Sequence, residues 1–438
     1  MAYLKWGFLL LVLALVASFF YFRPLLLVGT GYAAKMACSC HYLQGRELAD
    51  IQRNELNFSV LPWVKLALLT GEPGVVASLF GLASQQARYV PGRGCVLVVD
   101  ATMPVPVPVP VLPEAQPPVP LPQLDTLPPQ LDTAALNAAV DQAFKPLPGG
   151  GTRAVIVLYQ GQVIAERYAP GFDQHTLLLG WSMTKSITNA LVGIMVKNGL
   201  LRLEQDHLFA EWKEDERAQI TLADLLHMNS GLAWNEAYGS MSDATRMLYL
   251  EPDMPAYTRQ RSLAYPPNTF WEYASGTTNL LSNLIRQTLT DAHYATFARD
   301  SLFAKVGMTS ALIESDQGGT QVGSSYGWAR AADWARFGQL YLQDGVWNGE
   351  RILPEGWVSY SCIPAVGSEG TYGAQIWLRS DDAAHAPADA FMFRGFQDQR
   401  IVVIPSRQCV LLRIGTNADK TFAHDDFITG VVAALPQE

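Results

Sequence analysis

No Cys-x-x-Cys and no His-Glu-x-x-His occurs in this chain, and its 7 histidines are scattered along 438 residues. Metal sites of ordinary ligand spacing are thereby excluded. Charge is scarce too: Asp, Glu, Lys and Arg make up 16% of the residues, and the formal net charge is −9. With no cluster of Lys and Arg to offset that balance, nucleic acid is excluded as a partner. Cysteine is sparse, with 5 in the chain: Cys38, Cys40 and Cys95 before a proline tract, Cys362 and Cys409 far beyond it. We expect one disulfide between Cys95 and either Cys38 or Cys40, and a second between Cys362 and Cys409; the odd number leaves one thiol over.

What the chain has instead is apolar residues, 49% of the total, enough for a sizeable core. Trp6 to Phe22 is an almost unbroken apolar run between Lys5 and Arg23. Its length is at the lower edge of the ~17–25 residues of a membrane-spanning helix and exceeds the ~7–15 of a signal-peptide core. An uncleaved anchor over residues 1–34 is therefore expected, with the bulk of the protein in the periplasm or outside the cell. The rival is a cleaved signal peptide ending among the small residues Ala33, Ala34 and Ala37.

Residues 35–100 read as a small module. Glu47–Leu56 suits a short helix; Val64–Leu69, Val75–Phe80 and Cys95–Val99 suit strands of antiparallel hairpins with turns at Thr70–Gly74 and Pro91–Gly94. Residues 101–130 form a proline-rich linker whose spacing forbids helix and central strand. It serves as a spacer or as a strap along the domain, an SH3-like ligand being the less favoured reading because no basic anchors flank the prolines.

The main domain spans 131–438. A helix (Leu131–Phe144) leads to a hairpin, Ala154–Tyr159 and Gln162–Tyr168; a helical middle follows, and strands return at Tyr372–Leu378, Phe391–Phe393, Arg400–Ile404 and Val410–Ile414 before a helix near Asp425–Leu435. This order predicts an α+β fold in which both ends of the domain build one antiparallel sheet flanked by helices.

Chemistry concentrates at Ser182-Met183-Thr184-Lys185. Ile187, Ala190, Leu191, Ile194 and Met195 recur at helical spacing and Gly199 stops the pattern, so Ser182 and Lys185 leave one face of a buried helix about a turn apart. Burial and the helix N-terminus both favour a neutral lysine, the form a base needs. Tyr273 follows a turn at Pro266-Pro267-Asn268 and precedes a helix, a position from which a phenol reaches a cleft. Ser275 suits a cap for that helix. Thr221 and Asp224 have capping-box spacing, which makes that segment structural, and His227 is given no catalytic role. Trp181, Trp234, Tyr238 and Trp271 either line the cleft or belong to the core.

Ser182–Lys185, the run Ile220-Thr221-Leu222-Ala223-Asp224-Leu225-Leu226-His227-Met228-Asn229-Ser230-Gly231-Leu232, Tyr273-Ala274-Ser275, and Ala331-Ala332-Asp333-Trp334-Ala335-Arg336-Phe337-Gly338 stand in this order. Together, over roughly residues 135–435, they resemble the serine β-lactamase-related hydrolases. That group includes class C β-lactamases, DD-peptidases, carboxylesterase relatives and 6-aminohexanoate-dimer hydrolases. The resemblance implies a β-lactamase/transpeptidase-like fold with a helical subdomain and no cofactor. It makes Ser182 the nucleophile toward a small amide or ester, Lys185 and Tyr273 the general base and acid, and Ser275 a hydrogen-bond partner of Lys185.

The third motif departs from the group. Where β-lactamases carry Lys-Thr-Gly, this chain has Arg394-Gly395-Phe396-Gln397-Asp398-Gln399. Arg394 either supplies the missing cation or faces solvent, and the backbone N–H groups of Ser182 and Gln399 are the expected oxyanion donors. The change tilts the expectation from β-lactam or DD-peptide substrates toward small amides and esters. It also keeps open a non-catalytic module that binds peptidoglycan or a partner. A competing Gly-x-Ser-x-Gly at Gly323–Gly327 matches the α/β-hydrolase nucleophile elbow, but the stretch before it, Glu314–Thr320, is polar and glycine-rich instead of strand-like.

Overall fold

A computed structural model of the chain describes residues 2–109, 119–123, 126–418 and 420–436; several side chains between residues 2 and 18 also lie outside the description. A five-stranded antiparallel sheet organises the main domain. Its strands are β5 (Gly151–Tyr159), β6 (Gln162–Tyr168), β12 (Phe391–Gly395), β13 (Gln399–Ile404) and β14 (Cys409–Thr416), in the order β12-β13-β14-β5-β6. The β14–β5 ladder joins the two ends of the domain, Cys409 opposite Tyr159 and Leu412 opposite Ile156. Alternation along each strand divides the core. Val155, Val157, Met392 and Val402 meet α3 (Thr133–Ala143) and the helix His424–Ala434 on one face. Ile156, Leu158, Phe393 and Ile401 meet the helix Ala331–Leu342 and α4 (Thr184–Lys197) on the other.

Every residue of α4 from Thr184 to Met195 is buried, as its mostly apolar circumference requires. Two strands hold its entrance. The short β7 (Leu177–Leu179) pairs with β9 (Gly327–Arg330), which also pairs with β8 (Leu312–Ile313). A two-stranded ribbon, β10 (Val346–Trp347) and β11 (Glu350–Arg351), lies outside this framework. The expected strand Tyr372–Leu378 does not form. Gln375 adopts φ +58°, which folds the segment back so that Tyr372 bridges Trp377. The Gln375 amide then donates to the Leu226 carbonyl (2.9 Å) and accepts from Thr278 Oγ1 (2.7 Å).

Residues 35–100 contain α2 (Leu48–Asn54) and a four-stranded meander, β1 (Lys65–Leu68), β2 (Gly74–Leu79), β3 (Ala83–Val90) and β4 (Gly94–Val98). Across it lies α1, which runs unbroken from Ala2 to Gln44. The expected anchor, residues 1–34, makes up most of this helix, but among the described residues no helix is long and apolar enough to cross a membrane. No break occurs at residue 34. Ala33, Ala34 and Ala37, the residues that would suit a cleavage site, are fully buried because small side chains let α1 lie close on the sheet. The core they enter also contains Leu179, Trp181 and Trp328 of the main domain.

Cys38 on α1 is bonded to Cys95 on β4. Cys362 and Cys409 are free, a correction to the expected second bridge: they pack against hydrophobic clusters on opposite faces of the main sheet. The central part of the proline tract, residues 110–118, lies outside the described residues. Its flanks are strapped to the protein, with Val109 N–H donating to Pro91 O (3.1 Å) and Val163 N–H to Pro122 O (2.9 Å).

A buried ion pair fastens α1 to the main domain. Lys35 Nζ meets Glu314, whose carboxylate also accepts from Ser39 Oγ (2.8 Å), Cys95 N–H (2.6 Å) and Trp328 Nε1 (2.8 Å). Removing one member of such a pair strands the other charge. Lys35→Met is therefore expected to lower unfolding free energy by about 3–5 kcal/mol in chemical denaturation. Adding Glu314→Gln should recover part of the loss; a cost below about 1 kcal/mol for the single variant would show the pair to be dispensable.

Candidate active site

Strand β7 delivers the chain to Gly180, and a 3₁₀ turn, Trp181–Met183, carries Ser182 to the start of α4. The residue before Ser182 is strained: Trp181 has φ +47°, a conformation that a bulky residue holds only when its surroundings enforce it. Three aromatic rings do so, Tyr32 stacked at 6.1 Å, Phe396 edge-on at 5.6 Å and Tyr326 tilted at 6.2 Å. One of the three comes from α1. Gly395 allows the end of β12 to approach from the other side, since a Cβ there would lie 2.2 Å from the Gly180 carbonyl oxygen.

Lys185 is buried and its Nζ has three oxygens within reach: Ser182 Oγ (3.1 Å), Ser275 Oγ (3.0 Å) and the Ser324 carbonyl (3.0 Å). The direction of two of these bonds is settled by their partners. A carbonyl only accepts. Ser275 gives its hydroxyl proton to Glu236 Oε1 and so presents a lone pair to the lysine. In the amine form of Lys185 both hydrogens are thus committed, and the lone pair is left facing Ser182 Oγ. The arrangement is that of a nucleophile with an oriented base.

Glu236 is the residue the sequence reading missed. Its carboxylate also accepts from Trp234 Nε1 (2.6 Å), Ser275 N–H (2.9 Å) and Tyr238 OH (2.8 Å). The Tyr238 hydroxyl gives its proton to this carboxylate, which fixes it as a donor. The signal was the alternation Trp234-Asn235-Glu236-Ala237-Tyr238, which in extended chain puts the three large polar-tipped residues on one side. Trp234 and Tyr238 stood out as cleft aromatics, but the carboxylate between them did not.

The other expected residues fall as follows. Tyr273 joins the pair through its ring, Lys185 Nζ lying 4.7 Å from the centroid. The ring packs against Tyr372 and Trp377. Ser275 opens the helix Ser275–Thr288, yet it does not cap it; its hydroxyl is taken by Lys185 and Glu236. Trp271 packs with Tyr372 and Trp377 instead of meeting Ser182. His227, at the end of the helix Leu222–Leu226, lies edge-on to Tyr360, and the Thr221–Asp224 capping box is formed.

Arg394 is turned away from the cleft. It sits over Trp377 (4.7 Å), donates to Ser380 Oγ (2.7 Å) and pairs with Asp382 (3.5 Å). Strand alternation explains this: Phe393 points to the face of Phe337 and Tyr341, so its neighbour points to the opposite one. Gln399 belongs to the sheet. It stands opposite Gly395, and its side-chain amide is engaged with the Gly415 backbone on β14, accepting from Gly415 N–H at 2.9 Å. Phe396, in the β12–β13 turn, is the residue that shares a cavity with Ser182.

Gly323–Gly327 is no nucleophile elbow. A strand follows it instead of preceding it, and its glycines serve close packing on α4: a Cβ at Gly323 would lie 2.3 Å from Thr188 Oγ1, and one at Gly327 2.6 Å from Thr184 Oγ1. That approach is what brings the Ser324 carbonyl to Lys185.

Comparison with known proteins gives the same fold. A 6-aminohexanoate-dimer hydrolase from Paenarthrobacter ureafaciens is 24% identical over 309 residues, 62% of this chain and 74% of that protein. A solved structure from Bacillus anthracis, provisionally named 6-aminohexanoate-dimer hydrolase, has a TM-score of 0.60 at 21% identity, covering 73% of this chain and 89% of that one. A family VIII carboxylesterase has a TM-score of 0.54 at 13% identity, covering 71% and 99%. The model of the beta-lactamase family matches residues 140–413, a span that holds Ser182, Lys185, Tyr273, Ser275 and Glu236. More than half of the chain is matched, and the chain belongs to the beta-lactamase family.

Proposed function

We propose that this protein hydrolyses an amide or ester through an acyl-enzyme on Ser182. The observation that carries the reading is the lysine whose two other partners can only accept, so that its lone pair faces the serine hydroxyl. Lys185 takes the Ser182 proton as Oγ bonds to the carbonyl carbon. The negative oxygen is held by the backbone N–H groups of Ser182 and Phe396. As the carbon–nitrogen or carbon–oxygen bond breaks, the proton passes to the leaving group, with Tyr273 as its relay. Water then attacks the acyl carbon, gives a proton to Lys185 and releases the acid, and Ser182 recovers its proton. Glu236 acts one bond away. By accepting from Ser275 it keeps that hydroxyl an acceptor for Lys185.

Arg394, tied to Asp382 and Ser380, leaves no cation of the third motif facing Ser182. That favours neutral amides and esters over a β-lactam carboxylate. The named activity of the Paenarthrobacter ureafaciens relative, on an aminohexanoate dimer, is consistent with an amide substrate. We further propose that the catalytic domain works in the periplasm or outside the cell, tethered by α1. The Cys38–Cys95 disulfide supports an oxidising compartment, and exposed Trp6, Leu10 and Phe20 on α1 support an apolar cover. Cell fractionation that recovers the protein soluble in the cytosol would overturn that assignment.

A fluorophosphonate probe should label the full-length chain, and Ser182→Ala should abolish both labelling and p-nitrophenyl acetate hydrolysis. Equal labelling of the variant would remove Ser182 from the mechanism; silence of the wild type in both assays would point to a binding module on the same fold. Ser275→Ala strips Lys185 of one fixed acceptor and leaves Glu236 without that donor. Its kcat is expected to fall about 100-fold with KM little changed, whereas a rise in KM alone would make Ser275 a substrate-binding residue.

A further inference from the structure

A cavity of about 240 Å³ opens beside Ser182, and half of its wall comes from outside the family domain. Leu25, Val28 and Gly29 of α1 and Leu61, which follows α2, line it together with Leu248, Trp181 and Phe396. No charged side chain lines it; the polar side chains among its lining residues carry hydroxyls only, and the rest are apolar or glycine. An ammonium, carboxylate or phosphate entering there would lose its hydration without a counter-ion, whereas an alkyl chain would lose only unfavourable contact with water. Lys185 and Tyr273, which handle the proton of the leaving group, do not line this cavity. The leaving group therefore departs on their side, and the cavity receives the acyl side of the scissile carbonyl.

We infer that the cavity is an acyl-chain site, and that the substrate is an ester or amide of an uncharged, linear, apolar acid. This rests on the serine-hydrolase reading above and narrows it. The segment before residue 131 is then part of the substrate site and not an appendage to it. Selectivity follows from the walls: each methylene buried adds binding, and a charge at the chain end forfeits it.

The test is a series of p-nitrophenyl esters with the full-length chain: acetate, butyrate, hexanoate, octanoate, and 6-aminohexanoate, which matches hexanoate in length but ends in an ammonium. From acetate to octanoate kcat/KM is expected to rise about ten-fold or more, and 6-aminohexanoate to fall at least about ten-fold below hexanoate. Gly29 accepts a Cβ, its only near neighbour being Val60 Cγ2 at 3.5 Å. A Gly29→Phe ring would fill the chain site and should collapse the octanoate-to-acetate ratio. Should that variant fail to fold, the wild-type series alone still decides. Offering the octanoate ester in solution and in phosphatidylcholine vesicles tells whether the chain is drawn from water or from a bilayer, and a rise with length in either setting supports the site. A flat or falling series, or equal rates for the charged and uncharged six-carbon esters, overturns it while fluorophosphonate labelling of Ser182 persists. Loss of labelling as well would bring down the hydrolase reading with it.

Discussion

A lysine amine inside a protein needs an acceptor for each hydrogen it keeps, and the centre of this structure is arranged around that requirement at Lys185. Its partners come from three places in the chain: Ser182 one turn earlier, Ser275 at the head of a second buried helix, and the Ser324 carbonyl in a loop that reaches α4 only because Gly323 and Gly327 have no side chains. Move Ser275 or the Ser324 carbonyl and an amine hydrogen is left unpaired in a dry interior; move Ser182 and the lone pair loses its partner. Glu236 extends the same logic, because it decides which way the Ser275 hydroxyl points.

The strain at Trp181 belongs to the same construction. A left-handed tryptophan before the nucleophile persists because aromatic rings surround it, and Tyr32 among them sits on α1. Segments outside the matched family region thus help hold the catalytic turn in place. Lys35 and Glu314, with the Cys38–Cys95 bond, fasten those segments where they are needed. Shared core, shared ion pair and shared cavity make residues 25–61 and the hydrolase fold one working unit.

Much of this was legible in advance. The apolar runs within Gln162–Tyr168 and Arg400–Ile404 and the helical spacing after Ser182 depend on local pattern, and local pattern survives into the fold. The misreadings share a different cause. Arg394 was placed near the cleft by its position along the chain, but one step along a strand reverses a side chain's direction. Gln399 stands on β13 opposite Gly395, and it is Phe396 in the preceding turn that shares a cavity with Ser182, a placement that position along the chain does not give. Cys362 and Cys409 were paired by elimination, although a sheet stands between them. Glu236 escaped notice because nothing in its neighbourhood along the chain announces a lysine 51 positions away.

By itself the sequence determined the family, the pairing of Ser182 with Lys185 on one helix face, and the α+β order of elements, since each is written in spacings of a few residues that helix and strand geometry convert directly into faces. Only the tertiary structure decided which carboxylate orients Ser275, which turn faces the nucleophile, and that α1 walls the cavity beside it. Those contacts join residues far apart in the chain. Their geometry is set by how the elements pack on one another, and packing is not encoded in any single stretch.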